Sequence, residues 1–284
     1  MRLLWAFPLL IFASPTFLPA VFTQQVHSPA PPSRDSLLFE EKKVLMAAQP
    51  GAGHAALALA MGRSFLGLPY VSGTLDRSEQ ESLVINFSEM DCWTHVECSV
   101  ALALTGPQGT FEDYRQHLRK LRYWGGTVEG YGSRLHYFTG WLLQAEKLGI
   151  LQDLTRDLGG IPYAKRVGYI SARPQKYPKI KDELTLRQLR GAETRINKHS
   201  WFYIPKARVS SKEHLLREGD LIVLTSAKAD LDVSHQGFAV RRNGRIHLLH
   251  ASSLSKKVII SAQPLAQYLA KQRGQSGIMV ARLL

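Results

Sequence analysis

Apolar residues recur at helical spacing through the first half of the chain and at strand spacing through its last third. Residues 37–48 and 55–66 carry the three-to-four-residue period of amphipathic helices, separated by Gln49-Pro50-Gly51. Gly67-Leu68-Pro69-Tyr70 reads as a turn and residues 83–87 as a short apolar strand. Asp91 opens a helix that runs to about Leu104 and is ended by Gly106-Pro107. A second helix spans 110–122, with Thr110 as N-cap and Asp113 at the capping-box position. A third, aromatic-rich helix is expected over 133–148. Beyond Gly219 the pattern changes to strands, at 221–225, 235–240, 246–251, 258–260 and 277–283. Asn243-Gly244 between two apolar runs is the strongest hairpin signal in the chain. Helices first and antiparallel strands later predict an α+β fold, with helices packed on one face of a sheet. No internal repeat or heptad is present.

The N-terminus bears on compartment. Arg2 precedes an apolar run over 3–13, and Pro15 and Pro19 break that run before it could span a bilayer. Residues 1–25 read as a secretory signal peptide. Residues 26–36, with Pro29, Pro31 and Pro32, read as a linker, leaving 37–284 as a single catalytic domain. The expected location is the periplasm or the extracellular space.

The 284 residues are 45% hydrophobic and 21% charged, which excludes a disordered chain. Thirty-six Lys or Arg against 23 Asp or Glu give a formal net charge of +13 and imply an acidic partner. Export makes nucleic acid a poor candidate and bacterial cell wall a good one. The excess is concentrated over 165–208, where twelve Lys or Arg face three acids. That region is either a solvated, mostly helical insertion or a basic wall beside a substrate cleft. Two cysteines exclude a disulfide scaffold.

Cys92 follows Asp91 directly. With Asp91 as N-cap, Cys92 is the first helical residue, near unpaired backbone N–H groups and the positive end of the dipole. That position favours a thiolate nucleophile and offers donors to an oxyanion. Cys98 lies six residues on, a rise of roughly 9 Å, too far for a disulfide, and is expected to be a core thiol. A nucleophilic thiol needs a base, and the base needs an orienting group. With Asn243-Gly244 as the turn, Val240 faces His247 and Gly237 faces His250. His235 and His250 then share one sheet face as diagonal neighbours, with open space at Gly237, and His247 takes the other face. His235 is the expected base and His250 its orienting partner. A zinc site from these histidines lacks any tight ligand spacing, so no metal or other cofactor is expected.

The turn GLPYVSG (67–73), followed by Asp91-Cys92 opening a helix, resembles the signature of the NlpC-type papain-like cysteine amidases of bacterial cell wall. The segments YGSRLHYFTGWL, GDLIVLTS, LDVSHQGFAV and LLHASS narrow the resemblance to the N-acetylmuramoyl-L-alanine amidase-like branch, over about residues 37–284. Trp93 and His95 depart from that branch, which carries a small hydroxyl residue and an aromatic one there. The resemblance implies a papain-like core and hydrolysis of the amide between the muramic acid lactyl group and L-alanine. It implies Cys92 as nucleophile, His235 as base and acid, and Tyr70 lining the site. Arg134 is the expected partner for a substrate carboxylate, since guanidinium binds carboxylates bidentately. Muropeptides are the expected partners of a monomeric, exported enzyme with no stable membrane insertion. The alternatives are an endopeptidase cutting between D-glutamate and the diamino acid, and a non-catalytic wall-binding protein.

Overall fold

The structure is a computed structural model that describes residues 33–284; the signal peptide and most of the linker expected from the sequence lie outside the described residues. Ser33 caps the first helix, accepting from the Ser36 N–H, so α1 (Arg34–Ala47) begins inside the expected linker. It is followed by α2 (His54–Arg63), α3 (Cys92–Thr105), α4 (Phe111–Arg122) and α5 (Phe138–Lys147). Two short strands, β1 (Leu151–Asp153) and β2 (Ile161–Pro162), precede α6 (Glu183–Asn197), β3 (Phe202–Pro205) and α7 (Val209–Lys212). The remainder is β4 (Leu221–Ser226), β5 (Val233–Arg242), β6 (Arg245–Ser252), β7 (Lys257–Ile260), α8 (Leu265–Ala270) and β8 (Gln275–Leu283).

The strands form one sheet in the order β2-β3-β8-β4-β5-β6-β7, with β1 also paired to β8. Every pairing in it is antiparallel. All six residues of the central strand β4 are buried, which explains its unbroken apolar run. Leu221 and Val223 face a large core shared with Val96 and Val100 of α3 and Leu142 of α5. Ile222 and Leu224 face a second core with Ala239, Leu248, Val209 and the α8 residues Leu265 and Leu269. The sheet is therefore covered on both faces. The expectation of helices on one face holds for the long helices α1–α5, while the short α7 and α8 cover the other.

Three expectations are corrected. Residues 83–87 form no strand; Phe87 is buried as part of a coil whose backbone N–H donates to Asp35. The third helix starts at Phe138, because Tyr131–Ser133 close a separate 3-10 turn and Arg134 is extended. The basic region is not a solvated insertion: Leu189 and Ile196 of α6 and Trp201 are buried, and β3 pairs with β8. Several of its cations are also engaged. Lys165 donates to backbone carbonyls, Arg173 pairs with Asp230, Arg195 lies over Trp124 and Lys206 donates to the Gln272 carbonyl.

Candidate active site

Asp91 builds the start of α3. Its carboxylate accepts from the N–H groups of Trp93 (3.0 Å) and Thr94 (2.8 Å), and the Thr94 hydroxyl accepts from the Asp91 N–H (3.0 Å). This is the reciprocal capping box, and it leaves Cys92 as the first residue of the helix. The backbone N–H groups of Gln236, Cys92 and Trp93 favour the sulfur as thiolate, but burial and then the Asp91 carboxylate outweigh them. The thiol is pushed up to about 12. The acidification expected from the helix start is thus overturned by desolvation and by the charge of the cap itself.

The hairpin brings the two histidines together. Asn243 and Gly244 both take positive φ (48° and 76°), the primed turn that matches strand twist. Val240 pairs with His247 and Arg242 with Arg245, the register expected from the turn. At the start of β5 the register shifts by one residue: His235 lies opposite Leu224 and Val233 opposite Thr225. His235 Nε2 lies 2.6 Å from His250 Nδ1, with the rings perpendicular and their centroids 4.8 Å apart. His247 takes the other face, where Nδ1 meets the Ser261 carbonyl at 2.8 Å. The open space expected at Gly237 is absent. A Cβ there would stand 2.3 Å from the Leu249 carbonyl oxygen and 2.9 Å from His250 Cβ. Glycine is required because the strands approach closely beside His250.

Burial lowers both histidines, His235 to about 4 and His250 to about 2, with His95 adding to each and His235 adding to His250. Both are neutral near neutral pH, so one donates to the other. If His235 Nε2–H donates to His250 Nδ1, His235 Nδ1 is free to accept a proton, and His250 carries its own on Nε2. That buried Nε2 has no hydrogen-bond partner in the protein.

The histidines line a cleft of about 350 Å³ together with Lys228, Ser234, Ser252 and Tyr268. Tyr268 meets His250 edge-on at 5.4 Å, and its hydroxyl is raised by burial and then by charge at Cys92. Tyr70 is held by its N–H to the Lys256 carbonyl and is pushed up to about 12 by burial, then by Cys92 and Asp91. Both phenols therefore lie within electrostatic reach of the sulfur. Tyr268 and Lys228 escaped sequence reasoning, since a six-residue helix and a loop lysine carry no periodic signal. Arg134 is corrected: only 7% exposed, it pairs with Glu81 (2.7 Å) and Asp76 (2.9 Å), so its guanidinium has no free edge for substrate. Cys98 is a buried core thiol, as expected. Trp93 packs on Trp141, and His95 lies between Phe65 and Phe238 with Nε2 on the Gly62 carbonyl. Both departures belong to the core beneath the helix start.

Residues 60–278 match the AmiA-like, N-acetylmuramoyl-L-alanine amidase-like family. The chain belongs to that family. Among solved structures it is similar to an N-acetylmuramoyl-L-alanine amidase from Bacteroides uniformis, at 33% identity and a TM-score of 0.77, over 81% of this chain and 99% of that one. It is similar also to a Bacteroides fragilis protein described as a candidate xylanase, at 34% identity and a TM-score of 0.74, over 79% and 99%. A Legionella pneumophila protein of 20% identity and TM-score 0.67, matched over 88% and 97%, shares the fold. No curated protein matches the chain. Membership makes the chain an amidase-like peptidoglycan hydrolase.

Proposed function

We propose that the protein is an exported cysteine amidase of the NlpC-type papain-like class, cleaving the lactyl–L-alanine amide of peptidoglycan. The observation that carries the reading is the 2.6 Å contact between His235 Nε2 on β5 and His250 Nδ1 on β6, which leaves His235 Nδ1 free to take a proton, together with Cys92 at the capped start of α3. Such an arrangement supplies nucleophile, base and orienting group. The Cys92 thiol gives its proton to His235 Nδ1 as the sulfur attacks the lactyl carbonyl carbon. The C–S bond forms, and the oxyanion is met by N–H groups at the start of α3. Protonated His235 passes its proton to the alanine nitrogen, the C–N bond breaks and the peptide leaves. Water then attacks the thioester, giving a proton to His235. The C–S bond breaks as His235 returns that proton to the sulfur, restoring the Cys92 thiol, and the lactyl carboxylic acid is released and ionises.

Tyr70 and Tyr268 flank the reacting sulfur as substrate contacts. His250 holds the His235 tautomer. Residues 1–25 act as the export signal, and among the described residues no helix is long and apolar enough to cross a membrane. The test is a digest of purified muropeptides by the mature protein and by Cys92→Ala, read by mass spectrometry. The expected products are free disaccharide and intact stem peptide from the parental protein alone. Cleavage within the peptide would assign the endopeptidase reaction instead, and cleavage by Cys92→Ala would remove Cys92 as nucleophile.

A further inference from the structure

Lys228 lies on the loop between β4 and β5 and lines the cleft that holds His235 and His250. The loop is braced from the basic region: Lys165 Nζ donates to the carbonyls of Ser226, Lys228 (2.5 Å) and Leu231 (3.1 Å). The Lys228 N–H donates to the Ser226 hydroxyl at 3.1 Å. Its ammonium sits over the Tyr169 ring, 5.0 Å from the centroid and 3.5 Å from the hydroxyl. Asp230, two residues on, is taken by Arg173 at 2.5 Å. Among the described residues Lys228 has no carboxylate partner, so the cleft wall carries a positioned cation whose charge is uncompensated.

We propose that Lys228 reads the charge of the substrate, by pairing with a carboxylate on the peptide that departs from the lactyl carbonyl. The inference rests on the amidase reading. In a muropeptide the lactyl carboxyl is spent in the scissile amide and the sugars are uncharged, so carboxylates occur only on the peptide. The first is the α-carboxylate of the γ-linked glutamate that follows L-alanine. A cation lining the cleft therefore marks its peptide side. It takes the role that Arg134, already paired, is not free to fill.

The test compares two synthetic muramoyl tripeptides, one with this glutamate α-carboxylate free and one with it as carboxamide. The parental protein is expected to favour the carboxylate in kcat/KM by about fivefold, the scale of a partly exposed charge pair. Lys228→Gln should abolish the difference, Lys228→Arg should keep it, and Lys228→Glu should invert it. The same discrimination in Lys228→Gln as in the parental protein overturns the inference and leaves the amidase reading standing. Cleavage of neither substrate by the parental protein overturns the amidase reading, and the inference with it.

Discussion

In the resting protein Cys92 and His235 are both neutral, since burial pushes the thiol up to about 12 and the imidazole down to about 4. Proton transfer then accompanies attack on the substrate rather than preceding it as a stored ion pair. Alkylation reads this directly. Iodoacetamide should label Cys92 slowly at neutral pH, with a rate rising about tenfold per pH unit, because the thiolate fraction does so below its pKa. Cys98, 1% exposed, should label more slowly still. A rate at Cys92 flat between pH 5 and 8 would establish a preformed ion pair instead. The lowered imidazole sets the acid side of activity. A base is competent above its own pKa, so kcat/KM should hold down to about pH 5 and fall towards pH 4, well below the ordinary histidine range. His235→Ala should lose about 10²–10⁴ in rate. His250→Asn, which can keep one hydrogen bond, should retain more activity than His250→Ala. Wild-type rates in His250→Ala would make that residue only a strand side chain.

The β5–β6 hairpin converts local turn chemistry into a catalytic contact, and Gly237 is its narrowest point. Gly237→Ala places a methyl 2.3 Å from the Leu249 carbonyl, so the strands must part. The expected cost is about 1–3 kcal/mol of stability, read by urea unfolding, with a larger proportional loss of kcat as the histidines separate. A variant with both quantities unchanged would show that the histidine contact does not depend on strand spacing. The hairpin was legible in the sequence because Asn243-Gly244 sets the register and alternation assigns the faces. The α3 start was legible because Asp91 and Thr94 form a self-contained capping box. Strands β1, β2 and β3 were not, since two to four residues carry no alternation and owe their conformation to β8 or to one another. Arg134 was misread for a related reason. Its partners Asp76 and Glu81 are more than fifty residues away in sequence and are brought to it only by the fold.

At the scale of the molecule, the same burial that tunes the site couples it to stability. His95, His136 and His235 are each lowered to about 4 and His250 to about 2, with burial the first cause in every case. Unfolding returns them to about 6.5, so the unfolded chain binds more protons below that value. Their contribution to stability is fully present above pH 6.5 and is lost as the pH falls towards 4. Buried Asp232 and Glu97, whose carboxyls are raised first of all by burial, act in the opposite sense above the ordinary carboxylate range. The total slope therefore mixes two signs, and a single histidine has to be isolated. His95 serves, because it is fully buried between Phe65 and Phe238, and the Nδ1 atom has no hydrogen-bond partner. His95→Phe fills the same aromatic site and removes one titration. On passing from pH 7 to 4.5 the parental protein should lose about 2 kcal/mol more stability than His95→Phe, measured by denaturant unfolding at each pH. Parallel pH profiles for the two proteins would mean that His95 is protonated in the fold as readily as in the unfolded chain. That would remove burial as the cause of the low imidazole values at this end of the sheet.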